Sequence, residues 1–247
     1  KDREIIALPT KQSFIYAFDR ITGEPIWDIP EVPVPQGSIP GEWYSPTQPM
    51  PPMHLMYGRG KLDLPNDFID FTPELRQAAL DKMHLWDWSN GGMYNPPIEG
   101  DVNGVIGAIN IGATNGGTNW PGASFDPETG IVYAPASMIA INNLSMAPPP
   151  EGYSNVNYIA GRKGEQFRMR NAAGTGQNPD APKEVNYPVF DGPRVEIPGL
   201  NVEGLSILKP PYGVVAAIDM NKGEVLWQTP HGETPDNVRN HPKLQGM

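Results

Sequence analysis

Residues 116–133, GGTNWPGASFDPETGIVY, decide how the chain is read. The paired glycines Gly116 and Gly117 allow a positive φ or a close approach to a bound group. Asn119 and Trp120 follow, a compact hydrogen-bonder and a large flat ring. Residues 123–125 and 131–133 read as strands. Between them, residues 126–130 hold the Asp, Pro, Thr and Gly of a tight turn. The sequence predicts a β-hairpin with a polar–aromatic pair at its mouth.

That hairpin is one of three. Residues 17–27, AFDRITGEPIW, and residues 217–227, AIDMNKGEVLW, share the pattern A-x-D-x-x-x-G-E-x-x-W. Residues 123–133 carry a relative shifted by one position, with Tyr133 in place of the tryptophan. Repetition of one supersecondary unit indicates a repeat protein, and a hairpin whose terminal aromatic packs on a neighbouring sheet fits a β-propeller blade. Trp27 and Trp227 are therefore expected to be mostly buried, in different blades. A blade needs ~40–50 residues. The intervals from Asp19 to Asp126 and from Asp126 to Asp219 are each about twice that, so each should hold a blade plus an insertion.

The first insertion lies near 30–104. Residues 30–53 are proline-rich and show no strand pattern. Residues 72–88 give the one good helix, with Thr72 as cap, Pro73 at the first helical position and an apolar stripe of Leu75, Ala79, Leu80 and Met83. The second insertion, near 147–193, is rich in Pro, Asn and Gly and reads as long surface loops. Strands are expected again at about 194–198, 213–219 and 224–229.

The fold class is thus all-β: a partial β-propeller of four-stranded antiparallel blades, with one inserted helix and long Pro/Gly-rich loops. About three blades are expected over 1–247. Propellers use four to eight blades, and an open arc would leave sheet edges bare. Either the chain is a segment of a longer polypeptide whose remaining blades complete the ring, or something else completes it.

Composition supports a globular chain. Thirty prolines and 27 glycines are roughly twice the usual share, yet 38% of the residues are hydrophobic. A net charge of -10 argues against nucleic acid as a partner and against an anionic membrane surface. The absence of cysteine excludes disulfides, thiolate chemistry and cysteine-ligated zinc. No apolar run is long enough for a transmembrane helix, and Lys1-Asp2-Arg3 leads into a strand with no secretory leader pattern.

Five segments together resemble the quinoprotein dehydrogenases, most nearly the membrane-type glucose dehydrogenase branch. They are TKQSFIYAFDRITGEPIW (10–27), VPVPQGSIPGEWYSPTQP (32–49), DFTPELRQAAL (70–80), GGTNWPGASFDPETGIVYAPA (116–136) and PPYGVVAAIDMNKGEVLWQTPHGETPDNVRNHP (210–242). The repeated A-x-D-x-x-x-G-x-x-x-W pattern is similar to the family's tryptophan-docking motif. The resemblance implies a periplasmic β-propeller, with or without a membrane attachment elsewhere, that binds pyrroloquinoline quinone (PQQ) and Ca²⁺. It implies oxidation of a sugar or alcohol hydroxyl by hydride transfer to PQQ, with electrons passed to ubiquinone or a cytochrome.

Carried onto this chain, the resemblance makes Lys11, Asn119 and Trp120 the cofactor-binding candidates. Lys11 would sit beside the quinone oxygens as a cation, Asn119 would donate to one, and Trp120 would pack near the ring. Lys11 and Asn119 are expected to share one polar cavity. In the glucose dehydrogenase branch the cofactor asparagine falls several residues earlier, which points instead to Thr114 or Asn115. The family's catalytic Asp and most Ca²⁺ and PQQ-carboxylate ligands precede Lys1 in family order, so no catalytic or metal-binding residue is assigned here and the segment alone is expected to be inactive.

The remaining candidates carry plainer expectations. His54, His84, His231 and His241 lack ligand spacing and read as loop or surface residues. Asp63, Asp67 and Asp70 read as a solvated cluster before the helix, lacking the EF-hand pattern. Asp87, between two tryptophans, is open between the same readings. The alternative to an enzyme is a non-catalytic propeller scaffold of the same repeat class. Such a scaffold has no reason to keep Lys11 together with residues 116–120.

Overall fold

The computed structural model describes residues 3–112, 116–149, 156–164, 167–173, 184–190 and 198–246, with 167–173 and 184–190 described by backbone alone. Eight strands position the site: β1 (Ile5–Pro9), β2 (Ile15–Asp19), β3 (Gly107–Ile111), β4 (Ser124–Asp126), β5 (Ile131–Ser137), β6 (Ile141–Ala147), β7 (Gly213–Asp219) and β8 (Glu224–Pro230). Helix α1 spans Pro73–Lys82, and Asp236–Arg239 forms a single further turn. The architecture is mostly strands with one short inserted helix, a partial β-propeller.

The central sheet has the order β8-β7-β5-β4, antiparallel throughout. Two of the three repeated hairpins, β4–β5 and β7–β8, are therefore halves of one four-stranded sheet. Among the described residues, the interval between them holds no separate copy of the repeated hairpin. It leaves the sheet after β5 and returns at β7, where Gly213 pairs with Ser137 and Asp219 with Ile131. The third copy belongs to a different sheet, in which β1 pairs antiparallel with β2.

Strand alternation explains how the two sheets pack. Val132, Ala134 and Ala136 of β5 and Val214, Ala216 and Ile218 of β7 face one way. They meet Ile15 and Ala17 of β2, with Leu55 and Tyr57 filling the space between. A second core gathers around α1. Leu75 and Ala79 pack with Phe68, Ile69, Trp86 and Trp88, and with Ile109 and Ile111 of β3. Thr72 caps the helix by accepting from Leu75 N at 3.2 Å, and Leu80 and Met83 lie against the same core as the stripe predicts.

Some loop readings change. Residues 30–53 contain the paired strands Glu31–Pro33 and Thr47–Pro49. The second insertion contains an antiparallel hairpin of Phe167–Ala173 with Glu184–Phe190, in place of loops alone. In both cases proline masked short strands that sit where Pro is tolerated, at strand ends and edges. The strand expected at 194–198 lies almost wholly outside the described residues.

The three repeated turns use their aspartates alike. Asp19 Oδ1 accepts from Ile21 N and Thr22 N, Asp126 from Glu128 N and the Thr129 hydroxyl, and Asp219 from Asn221 N and Lys222 N. The two turns of the central sheet also join, Met220 N donating to Gly130 O at 3.0 Å. Trp27 crosses from the first sheet and lies against Gly223, where an added Cβ would stand 2.6 Å from the indole Cε2. Trp227 differs from its expected burial: it is 46% exposed, touching Tyr133 of its own sheet at 6.0 Å between ring centroids. Its face of the sheet is turned away from the β1–β2 core, and no second sheet covers it among the described residues.

Gly23 and Gly223 give a matched pair. Both have positive φ, 76° and 72°, but a Cβ at Gly23 meets nothing within 4 Å. Gly23→Ala should cost about 1 kcal/mol for the left-handed backbone alone. Gly223→Ala should cost about 2–3 kcal/mol more, because the indole must shift. Chemical denaturation of the two variants checks this, and equal losses would show that the Trp27 contact contributes nothing.

The turn aspartates also set an acid limit. The Thr22 and Ile21 amides hold the Asp19 carboxyl below its ordinary range, and the Thr129 hydroxyl and Glu128 amide do the same for Asp126. For Asp219 partial burial opposes ionisation, but the Lys222 and Asn221 amides overcome it and the pKa is again lowered. Below the ordinary carboxylate value of about 4 the unfolded chain binds more protons than the folded one. The stabilisation is therefore complete above about pH 4 and lost as pH falls through the lowered values. Thermal melts should show a drop below pH 4 that shrinks when all three are changed to Asn.

Candidate functional site

The turn between β1 and β2 carries Lys11. Ser13 N donates to Thr10 O at 3.0 Å and Thr10 N to Phe14 O at 2.9 Å. Ser13 has φ 62° and is 1% exposed, with an Oγ that is buried and without a hydrogen-bond partner. Against this turn lies the loop that ends in Asn119 and Trp120. Gly117 N donates to Lys11 O at 2.5 Å, and Thr118 N to Thr10 O at 3.4 Å. Segments more than a hundred positions apart in sequence thus form one junction.

Glycine makes that approach possible. A Cβ at Gly116 would stand 2.6 Å from Lys11 Cγ, one at Gly112 would strike the Lys11 carbonyl, and one at Gly117 would strike Ser13 Oγ. Beneath the junction Thr118 Oγ1 donates to Pro135 O at 2.5 Å and accepts from Tyr57 Oη at 2.6 Å. Burial pushes the Tyr57 phenol up to about 12, so it stays a neutral hydroxyl. Gln228 Nε2 donates to Tyr57 O at 2.8 Å, fastening the junction to β8.

A cleft of about 340 Å³ opens beside it, with Gly117, Asn119, Ser137, Tyr212 and His231 on its wall. Asn119 Oδ1 accepts from Trp120 N at 2.9 Å. Its Nδ2 is left with no partner among the described residues, as a donor. No described carboxylate lines the cleft. Lys11 and Trp120 are not on its wall either, and Trp120 is 90% exposed. The structure therefore brings the Lys11 backbone against the loop of Asn119 without placing the two side chains in one cleft. Thr114 and Asn115 lie outside the described residues.

The donor set suits a flat, anionic, oxygen-rich group. Lys11 is a cation, and Asn119 offers an unspent N–H pair. PQQ, a planar tricarboxylate, fits that chemistry. Among the described residues no three His, Asp or Glu side chains gather as a metal site needs, so no residue here is assigned to Ca²⁺.

Sequence reading missed Ser13, Tyr57, Thr118 and Arg59. Only Thr118, placed between the paired glycines and Asn119, carried a signal. Arg59 follows Gly58, which also abuts Ser13. Its side chain is 7% exposed; Nη1 donates to Met138 O at 2.6 Å, and Nε lies 3.5 Å from Asp67 Oδ1. Burial pulls the Arg59 pKa down, and Asp67 opposes that pull. Asp67 is thus not a freely solvated member of an acidic cluster, since its carboxylate balances a buried guanidinium. His241 is likewise no surface residue: it is 9% exposed, with Nε2 3.2 Å from Glu203 O.

The profile for the PQQ-dependent glucose/ethanol/alcohol dehydrogenase β-propeller domain matches residues 1–247, and the chain belongs to that family. The family's cofactor is PQQ, used together with Ca²⁺. Similar curated proteins include quinoprotein glucose dehydrogenase of Gluconobacter oxydans, 29% identical over 94% of this chain and 26% of that protein. Quinate/shikimate dehydrogenase (quinone) of Acinetobacter baylyi is 26% identical over 94% of this chain and 26% of its own length. The glycerol dehydrogenase large subunit of Gluconobacter thailandicus is 27% identical over 94% of this chain and 29% of its own. The chain therefore spans little more than a quarter of these relatives. No solved structure gives a significant match.

Removing Asp67 leaves a buried guanidinium uncompensated. Asp67→Ala should destabilise by about 3 kcal/mol, the low end for breaking a buried pair. Asp70→Ala, at an exposed position, should change stability by less than about 0.5 kcal/mol. Urea unfolding of both variants checks the difference.

Proposed function

We propose that these residues are part of a PQQ-dependent dehydrogenase that oxidises a sugar or alcohol hydroxyl and passes the electrons to a quinone or cytochrome. The family match along the whole chain carries this reading. The glucose, quinate and glycerol dehydrogenases among the relatives support it. The same likeness supports a periplasmic location, with any membrane attachment outside these residues. It also supports reading the A-x-D-x-x-x-G-E-x-x-W segments as the tryptophan-docking motif, as does Trp27 lying against Gly223.

In this reading Lys11 and the 116–120 loop form one wall of the cofactor site. Bound PQQ supplies a quinone carbonyl that accepts hydride, with Ca²⁺ as a Lewis acid. Lys11 favours negative charge on an oxygen at the site, as a cation held beside a group that gains charge does. Asn119 Nδ2 donates a hydrogen bond, and Trp120 offers an exposed ring for packing. Gly116 and Gly117 hold the loop against Lys11. The catalytic base and the Ca²⁺ ligands belong to other parts of the propeller, so the isolated segment is inactive.

In the complete protein Lys11→Ala should lower PQQ-dependent dye reduction by roughly 10²–10³-fold, the scale for losing one electrostatic stabiliser. Glu128→Ala, exposed in the β4–β5 turn, should leave it unchanged. Full activity of the Lys11 variant at limiting PQQ would remove Lys11 from the site.

A further inference from the structure

A second cleft, of about 250 Å³, lies on the other side of β3 from the α1 core. Its wall includes Tyr44, Ser45, Gln48, Tyr94 and Asn110, with Pro35, Pro96 and Pro97 among its apolar members. We infer that this cleft binds a small neutral polyhydroxylated molecule, a sugar or polyol, through Gln48 and Asn110 against the two tyrosines.

Charge gives the first argument. The chain carries 28 acidic and 18 basic residues, yet no Asp, Glu, Lys, Arg or His lines this cleft. A charged ligand would find no counter-ion there.

Hydrogen bonding gives the second. The Gln48 carboxamide has no partner among the described residues, so it offers both a donor and an acceptor. Asn110 Nδ2 is spent on Asn95 O at 3.0 Å, which fixes the side chain and leaves Oδ1 as an unspent acceptor. Ser45 Oγ donates to Thr47 O at 2.7 Å and keeps its lone pairs. Tyr94 Oη donates to Pro49 O at 3.3 Å and can still accept. Hydroxyl groups, each both donor and acceptor, answer this mixture of unspent donors and acceptors.

Shape gives the third. Tyrosine faces accept the C–H surface of a sugar, and proline walls add rigidity without rotamer entropy. The volume lies just below the usual range for drug-sized ligands and suits one small molecule. The cleft is also close to the candidate cofactor loop. Asn110 is two residues before Gly112, which packs on the Lys11 carbonyl. As a substrate-docking site the cleft rests on the dehydrogenase reading above. As a polyol-binding site it stands alone.

The test uses the complete protein, with and without PQQ and Ca²⁺, titrated calorimetrically with sorbitol, D-glucose, glucuronate and cyclohexanol. Sorbitol or glucose should bind in both states, glucuronate and cyclohexanol at least tenfold more weakly. Gln48→Ala should weaken sorbitol about tenfold, the scale of one lost hydrogen bond in a desolvated site. Since the Gln48 side chain has no hydrogen-bond partner among the described residues and its backbone pairing with Val32 is kept, that variant should melt as the parent does. Asn110→Asp, which places a charge on the wall, should weaken sorbitol further. The inference is overturned if neither sorbitol nor glucose binds, if cyclohexanol binds as well as sorbitol, or if both variants bind unchanged. Polyol binding without any PQQ binding would sink the dehydrogenase reading and keep the cleft. PQQ-dependent polyol oxidation with an unchanged KM in Gln48→Ala, and no change in sorbitol affinity, would sink the cleft and keep the dehydrogenase reading.

Discussion

The junction at Lys11 depends on a contact that only glycine can make. Gly117 approaches Ser13 so closely that any side chain at Gly117 would displace the Ser13 hydroxyl. Ser13 in turn is held at a positive φ, with its Oγ buried and unpartnered. Left-handed backbone costs roughly 1–2 kcal/mol in a residue with a Cβ, and an orphaned buried hydroxyl about as much again. Such costs persist only where the surroundings over-determine the geometry. Here the over-determination is visible. The Lys11 and Thr10 carbonyls, the Thr118 hydroxyl and the Tyr57 phenol each tie one segment to another across the same small volume.

The sheets explain why the junction sits at a seam. The apolar faces of β5 and β7 are covered by β2, whose preceding turn carries Lys11. The loop of Asn119 leads into β4 at the edge of the same central sheet. Packing the two sheets therefore brings the two loops to one end, and the repeated Asp-to-Gly turns to the other. The sheet ends at β8 with Trp227 half in solvent, although the matching Trp27 is covered by Gly223. Identical sequence signals yield different burial because burial belongs to the neighbouring sheet, not to the hairpin.

Local signals were legible where local energetics decide. Thr72 and Pro73 marked the start of α1, and the Asp…Gly turns marked the ends of β2, β4 and β7, because capping and turn formation involve groups within a few residues. The pairing of β5 with β7 was not legible. The two strands are joined by a long excursion, and nothing in either sequence distinguishes a same-sheet partner from a strand in the next blade. Arg59 was also invisible. Its burial depends on carbonyls of Met138 and Lys209 and on Asp67, which tertiary folding alone assembles. Of the candidate residues, Lys11 and Asn119 were legible only through the company they keep; their own residue types are ordinary in turns.

The inserted helical region is more than a surface addition, because β3 has two working faces. Ile109 and Ile111 are buried against Phe68, Leu75 and Trp86, so the α1 core fixes the position of the strand. Asn110 lies between them in sequence and, by the alternation of a strand, projects to the opposite face, toward the neutral cleft. The strand ends at Gly112, whose missing side chain admits the Lys11 carbonyl. One five-residue strand thus fixes a hydrophobic core, a hydrogen-bonding wall and the approach to the candidate cofactor loop. Buried side chains in a close-packed core do not shift independently. A change that loosens α1 against β3 would therefore reach the site through the strand itself, without touching any residue that lines it.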